Sequence, residues 1–120
     1  MSDSLDAVVD KALLELQNPQ GSPMESIMAI RQVLEIDPNH LKANFTLGAL
    51  SFSTGQYERA IERMSKVVEI APETEEAYKI LVESYNNLGR VDSAESTVRA
   101  YMSRFPEGQF IQEFQKIINN

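Results

Sequence analysis

The stretches VLEIDPNHLKA at 33–43 and VVEIAPETEEA at 67–77 are two versions of one segment, placed 34 residues apart. Three of the five prolines share this period: Pro38, Pro72 and Pro106. So do three of the five glycines: Gly21, Gly55 and Gly89. A period of about 20–50 residues is the signature of stacked repeat architectures, so this repetition decides the fold.

Within each period the apolar residues have helical spacing. In the middle unit, Ile61, Met64 and Val68 recur at steps of three and four, and no strand-like alternation persists. Each unit therefore predicts a helix, a glycine turn in the left-handed conformation, a second helix and a proline stop. The segment 22–25, Ser-Pro-Met-Glu, predicts a capping box with proline at the first helical position.

The middle unit has Leu47-Gly48 in its first helix, Ala60 in its second and Pro72 at its end. This pattern resembles the tetratricopeptide repeat, whose signature is W-x2-L-G-x2-Y, then A-x3-F, then P. The resemblance covers 7–108 as three units, approximately 7–40, 41–74 and 75–108, and the first unit is degenerate. Degeneracy is expected of a terminal repeat, because one of its faces meets water.

The resemblance implies an all-α fold: a right-handed α-α superhelix, or solenoid, of three helix-turn-helix repeats in a single domain, 1–120. RNA-reading helical repeats are a less favoured alternative, because their period differs and this chain is acidic.

One more amphipathic pattern follows Pro106. Its apolar face consists of Phe110, Ile111, Phe114, Ile117 and Ile118. We expect a capping helix at about 109–119 that shields the last repeat. The alternative is an exposed apolar face that pairs two chains into a homodimer.

Composition limits the classes of function. The chain has 120 residues, 18 acids, 11 bases and a formal net charge of −7, which argues against nucleic acid as a partner. The absence of cysteine excludes disulfides and thiolate metal sites. No stretch reaches the roughly 20 apolar residues of a spanning helix, so direct membrane insertion is not expected. The compartment stays open between the cytoplasm and, if a signal or anchor was trimmed, the periplasm.

Residues that carry out catalysis or ligate metals are scarce. His40, the one histidine, lies in the turn after Pro38, and we interpret it as a solvated or capping group. A catalytic base needs a nucleophile and an orienting group around it, and a zinc site needs several ligands. Glu62 and Lys66 have the spacing of an ion pair on a solvated helix face. We therefore predict no enzyme activity, no catalytic residue, no metal site and no cofactor.

Members of the resembled family stack their first helices along a concave groove that binds peptide segments of other proteins. The corresponding positions imply a candidate ligand-binding site for an unidentified protein or peptide partner. It comprises Lys42, Phe45, Thr46, Ala49, Phe52, Lys79, Glu83 and Asn86. Phe45 and Phe52 are interpreted as aromatic anchors for an apolar side chain. The alternative is that they pack between neighbouring helices.

Some family members bind the terminal carboxylate of heat-shock chaperones with a set of lysine, arginine and asparagine side chains, and this chain lacks most of that set. Lys11 matches, whereas Glu15 and Glu76 would repel a carboxylate at the corresponding positions.

Two classes of function remain. The first is a non-enzymatic adaptor that binds a partner in its groove. The second is a structural or self-assembly module, acting as a homo-oligomer or as the soluble part of a larger membrane-associated complex.

Overall fold

The computed structural model describes residues 2–118, a range that contains seven helices and no strand. The helices are α1 (Ser2–Leu16), α2 (Pro23–Ile36), α3 (Leu41–Ser53), α4 (Tyr57–Ile70), α5 (Glu75–Asn87), α6 (Val91–Arg104) and α7 (Ile111–Ile118). Each helix packs on the next, and the first helices of successive units also meet, α1 on α3 and α3 on α5. The result is an elongated stack of 42 × 28 × 22 Å, which confirms the predicted helical solenoid.

The turns of the second and third units follow the predicted glycine geometry. Gly55 and Gly89 have φ values of +78° and +73°, a left-handed conformation that costs glycine little. After each glycine the chain reverses and its next amide donates back into the finished helix, Gln56 N to Ser51 O at 2.8 Å and Arg90 N to Tyr85 O at 2.9 Å. Only three residues therefore separate the two helices in the second unit and in the third.

The turn of the first unit departs from this geometry. Gly21 does not have a positive φ, so the predicted left-handed role is wrong there. The helix α1 ends at Leu16, three positions before the corresponding ends of α3 and α5, and Pro19 explains this because its ring is incompatible with a continuing helix. A Cβ at Gly21 would lie 2.9 Å from the carbonyl oxygen of Glu15, so close approach of the chain requires this glycine.

The start of α2 agrees with the sequence only in part. Pro23 occupies the first turn, as predicted, and Ser22 precedes the helix in an extended conformation. The Ser22 side chain makes no capping hydrogen bond, so the predicted capping box is not formed. Ser22 and Glu25 are both exposed, and water can satisfy the free amide groups at this helix start.

The short helix α7 covers the last unit. Phe114 is fully buried, and the other four residues of the apolar face pack against a cluster that includes Tyr78, Val98 and Tyr101. The predicted capping helix is thus present, although residue 119 lies outside the described residues. Pairing of two chains through this face stays an untested prediction.

Tyr101 connects the start of α5 to the segment before α7. Its hydroxyl donates to Glu75 Oε2 at 2.7 Å and accepts from the backbone N–H of Phe110 at 3.1 Å. Any side chain at Gly108 would overlap this hydroxyl, which explains a glycine outside the 34-residue period. Burial raises the pKa of Tyr101 above its ordinary value.

Within residues 2–118, none of the helices combines the length and the apolar character that crossing a bilayer requires.

Candidate functional site

An apolar depression of about 380 Å³ lies between the first helices of the first two units. We call it the α1–α3 depression. Its lining residues are Leu13, Leu16, Phe45, Thr46, Ala49, Leu50 and Ser53. Five of these residues keep part of their surface in water, Ser53 is exposed and Thr46 is buried. A concave apolar surface of this kind can receive an apolar side chain from a partner.

Phe45 has two roles in this region. Its half-buried side chain lines the depression, and it also packs against the cluster of Met64, Val67, Ala77 and Leu81 beneath it. The two interpretations of Phe45 made from the sequence, an anchor or a packing residue, are therefore compatible in the structure. A substitution at Phe45 is therefore expected to affect the stability of the fold as well as any binding in the depression.

Phe52 lies apart from the other predicted anchor. Its ring packs edge-on against Tyr57 with the ring centroids 5.8 Å apart, and it is not among the residues that line the depression. The ring therefore covers the turn between α3 and α4.

Lys42 at the start of α3 is already engaged by the first unit. Its Nζ lies 2.7 Å from Asp10 Oδ1, and both side chains are substantially exposed. The hydrogen bond to Asp10 raises the pKa of Lys42 above its ordinary value. Asp10 thus occupies one of the three N–H donors of this ammonium group.

The three predicted residues of the third unit point toward the C-terminal helix. Lys79 Nζ lies 3.9 Å from Glu113 Oε2 and 5.2 Å from the centroid of the Phe110 ring. Burial raises the pKa of Glu83, nearby Glu113 raises it further, and Lys79 acts in the opposite direction. Asn86 is exposed and, with Lys116 and Ile117, lines a separate hollow. The structure thus gathers only Phe45, Thr46 and Ala49 of the eight predicted residues into one depression.

Four residues of the depression were not predicted from the sequence: Leu13, Leu16, Leu50 and Ser53. A signal for two of them was available, because Leu16 and Leu50 occupy the same position of the 34-residue period. Leu13 and Leu16 lie in the last turn of α1, and family positions alone did not place them in the depression.

His40 is a buried cap rather than a solvated group. Its Nδ1 accepts a hydrogen bond from the backbone N–H of Ala43 at 3.1 Å, and its Nε2 lies 2.7 Å from Asp6 Oδ1 with poor hydrogen-bond alignment. The capping part of the prediction is confirmed and the solvated part is wrong, because α1 packs over the ring. Asp6 and His40 thereby connect α1 to the start of α3.

The ion pair predicted between Glu62 and Lys66 does not form. Glu58, one turn earlier on α4, instead accepts a hydrogen bond from Arg90 of the next unit at 2.7 Å.

Within residues 2–118, no group of three or more histidine, aspartate or glutamate side chains is arranged to hold a metal ion.

Comparison with known proteins agrees with this geometry. A family model described as Tetratricopeptide repeat matches residues 13–82 and 52–110. Anaphase-promoting complex subunit 3 of Dictyostelium discoideum is 28% identical over 94 residues, which is 78% of this chain and 10% of that protein. The chain therefore spans about a tenth of the length of this relative. On the helical stack and the matched residues, this chain belongs to the tetratricopeptide repeat family.

Proposed function

We propose that this chain is a non-enzymatic adaptor whose α1–α3 depression binds an apolar side chain of a peptide segment from a protein partner. The depression itself is the observation that carries the proposal. It offers partly exposed Phe45, Leu50 and Leu16 beside one another in a concave surface, where an inserted side chain loses water contact on several sides.

The relatives support the same class of function. Tetratricopeptide repeats serve in general as protein-interaction scaffolds, and the Dictyostelium relative is by name a subunit of a complex.

The test uses peptides selected against the intact chain from a random display library and then measured by fluorescence anisotropy. Ser53→Asp places a charge at the exposed rim of the depression, so we expect it to weaken the selected peptides about tenfold. Phe45→Ala should weaken them as strongly and should also lower the melting temperature by several degrees, because Phe45 packs on the core.

Ser65→Asp is the matched control, since Ser65 is exposed on α4 and does not line the depression. It should leave peptide affinity unchanged. Equal affinities for the Ser53→Asp, Ser65→Asp and wild-type proteins would show that peptides bind elsewhere.

A second candidate function, self-assembly, is favoured by exposed apolar side chains on the first unit. Leu14 is 69% exposed, although Val82, at the same position of the period, is fully buried. Met24 and Met28 are also exposed, one turn apart on α2. A surface of this kind can meet a second copy of the chain.

A further inference from the structure

Two neighbouring hollows lie along the second helices, on α2 and α4, outside the α1–α3 depression. The first, of about 350 Å³, is lined by Arg31, Leu47, Ser51, Arg59, Glu62 and Arg63. The second, of about 300 Å³, is lined by Arg31, Leu34, Glu35, Pro38, Arg63 and Lys66. Because Arg31 and Arg63 line both hollows, they form one continuous surface, which we call the arginine furrow.

The arginine furrow is basic in an acidic protein. It holds four of the 11 bases of the chain and two of its 18 acids. The remaining surface therefore has far more acids than bases. A local excess of positive charge of this kind attracts anionic groups and repels other basic groups.

The four bases of the furrow are not held in ion pairs within residues 2–118. Lys42, Lys79 and Arg90 each have a carboxylate partner. The charge of the furrow is thus available to a ligand, in contrast to the charge of the predicted groove lysines.

A buried amide helps to position one of the two shared arginines. Asn44 is fully buried and donates from Nδ2 to the carbonyl oxygens of Pro38 and His40, at 3.0 and 2.9 Å. These two bonds fix its Oδ1, which lies 3.4 Å from Arg63 Nη1. A neutral acceptor orients the guanidinium group and leaves its positive charge in place.

The chemistry of the furrow selects its ligand. Guanidinium groups bind carboxylates through paired, nearly parallel hydrogen bonds, and two arginines can hold one carboxylate between them. Glu35 and Glu62 at the sides disfavour the continuous phosphate backbone of a nucleic acid, but they tolerate a peptide whose acids are separated by neutral residues.

We propose that the arginine furrow is a second interaction surface, which binds an acidic segment of a protein partner through carboxylates held at Arg31 and Arg63. This surface is separate from the first-helix positions that a chaperone tail would need, where Glu15 and Glu76 oppose an acid. It is also independent of apolar binding in the α1–α3 depression, because the two sites share no lining residue.

The test uses a short fluorescent peptide with glutamates separated by glycine and serine, and with an amidated carboxyl end. Its affinity for the full chain is measured by anisotropy at low salt, against a peptide in which glutamine replaces every glutamate. We expect the glutamate peptide to bind, the glutamine peptide to bind at least tenfold more weakly, and added salt to weaken the complex.

The double variant Arg31→Gln/Arg63→Gln should bind the glutamate peptide at least tenfold more weakly. The control Lys11→Gln/Arg104→Gln removes the same charge from exposed positions outside the furrow and should retain most of the affinity. Arg31→Gln/Arg59→Gln leaves the contact with Asn44 intact, so it gives a second measurement if the first variant unfolds.

Equal weakening by the furrow variants and the control would overturn the proposal, since binding would then follow net charge alone. Equal binding of the two peptides would also overturn it. Ser53→Asp should leave the affinity for the glutamate peptide unchanged, so that failure at the furrow and failure at the depression are distinguished.

Discussion

At the scale of single residues, contacts with other units decide what a repeat position does. Position by position, Lys42, Phe45 and Lys79 looked like members of one groove, but each has a different neighbour. Asp10 holds Lys42, the α4–α5 core holds Phe45, and Glu113 with Phe110 approaches Lys79. The contacts that a side chain makes with neighbouring units therefore decide how much of it remains available to a ligand.

Glu83 gives a prediction at this scale. Its pKa is raised in the folded chain, so its contribution to stability is fully present below the ordinary glutamate pKa of about 4.3 and is lost as the pH rises through the folded value. At neutral pH the charged Glu83 is thus unfavourable. Glu83→Gln should raise the melting temperature at pH 7 by roughly 1–3 °C, and the gain should disappear below about pH 4.

The measurement is a series of calorimetric melting curves across this range of pH. Glu107→Gln is the control, because Glu107 is exposed in the turn after α6 and its substitution should change little. A lower melting temperature of Glu83→Gln at pH 7 would contradict the assignment of burial as the dominant cause.

At the scale of helices, the sequence predicted helix ends best where a glycine of the 34-residue period follows the helix. The ends of α3 and α5 could be predicted because Gly55 and Gly89 supply conformations that other residues adopt at a cost. The end of α1 could not be predicted in the same way. The 34-residue register places this end at Pro19, but the proline ring is incompatible with a continuing helix, so α1 ends three residues earlier.

The helix α7 gives a prediction at this scale. Phe114 is fully buried among the aromatic side chains of the third unit, with its ring centroid 5.0 Å from that of Tyr101. Phe114→Ala should therefore lower the free energy of unfolding by about 3–5 kcal/mol, measured by urea denaturation. Gln115→Ala, at the exposed neighbouring position, should have a small effect.

Truncation to residues 1–108 examines the same helix as a whole. We expect this fragment to lose cooperative unfolding, because the aromatic cluster would meet water. A fragment that stays fully folded while a dimer of the full chain becomes a monomer would instead favour pairing through α7.

At the scale of the whole molecule, the architecture could be predicted from the 34-residue period, whereas the proposed binding surfaces could be predicted only in part. The period specifies which helices are neighbours, since stacked units contact mainly the next unit. The α1–α3 depression joins residues of α1 and α3, and the arginine furrow joins Arg31 of α2 and Arg63 of α4, so each surface combines two units. Neither pairing is visible within one repeat.

The oligomeric state separates the two candidate functions. An adaptor with free surfaces should be a monomer of 13.5 kDa by light scattering at all protein concentrations, helped by its net charge of −7. A concentration-dependent dimer that Leu14→Ser returns to a monomer would favour assembly through the first unit, because Leu14 is exposed and absent from the packed core.

The linkage made by Tyr101 bears on how an array of this kind can lengthen. Its hydroxyl connects the start of α5 to the segment before α7, and Gly108 leaves room for it. A duplicated unit inserted after residue 74 would preserve both specialised ends, whereas one appended after Pro106 would have to replace this linkage. The segment after residue 74 is therefore a better insertion point for an additional unit than the segment after Pro106.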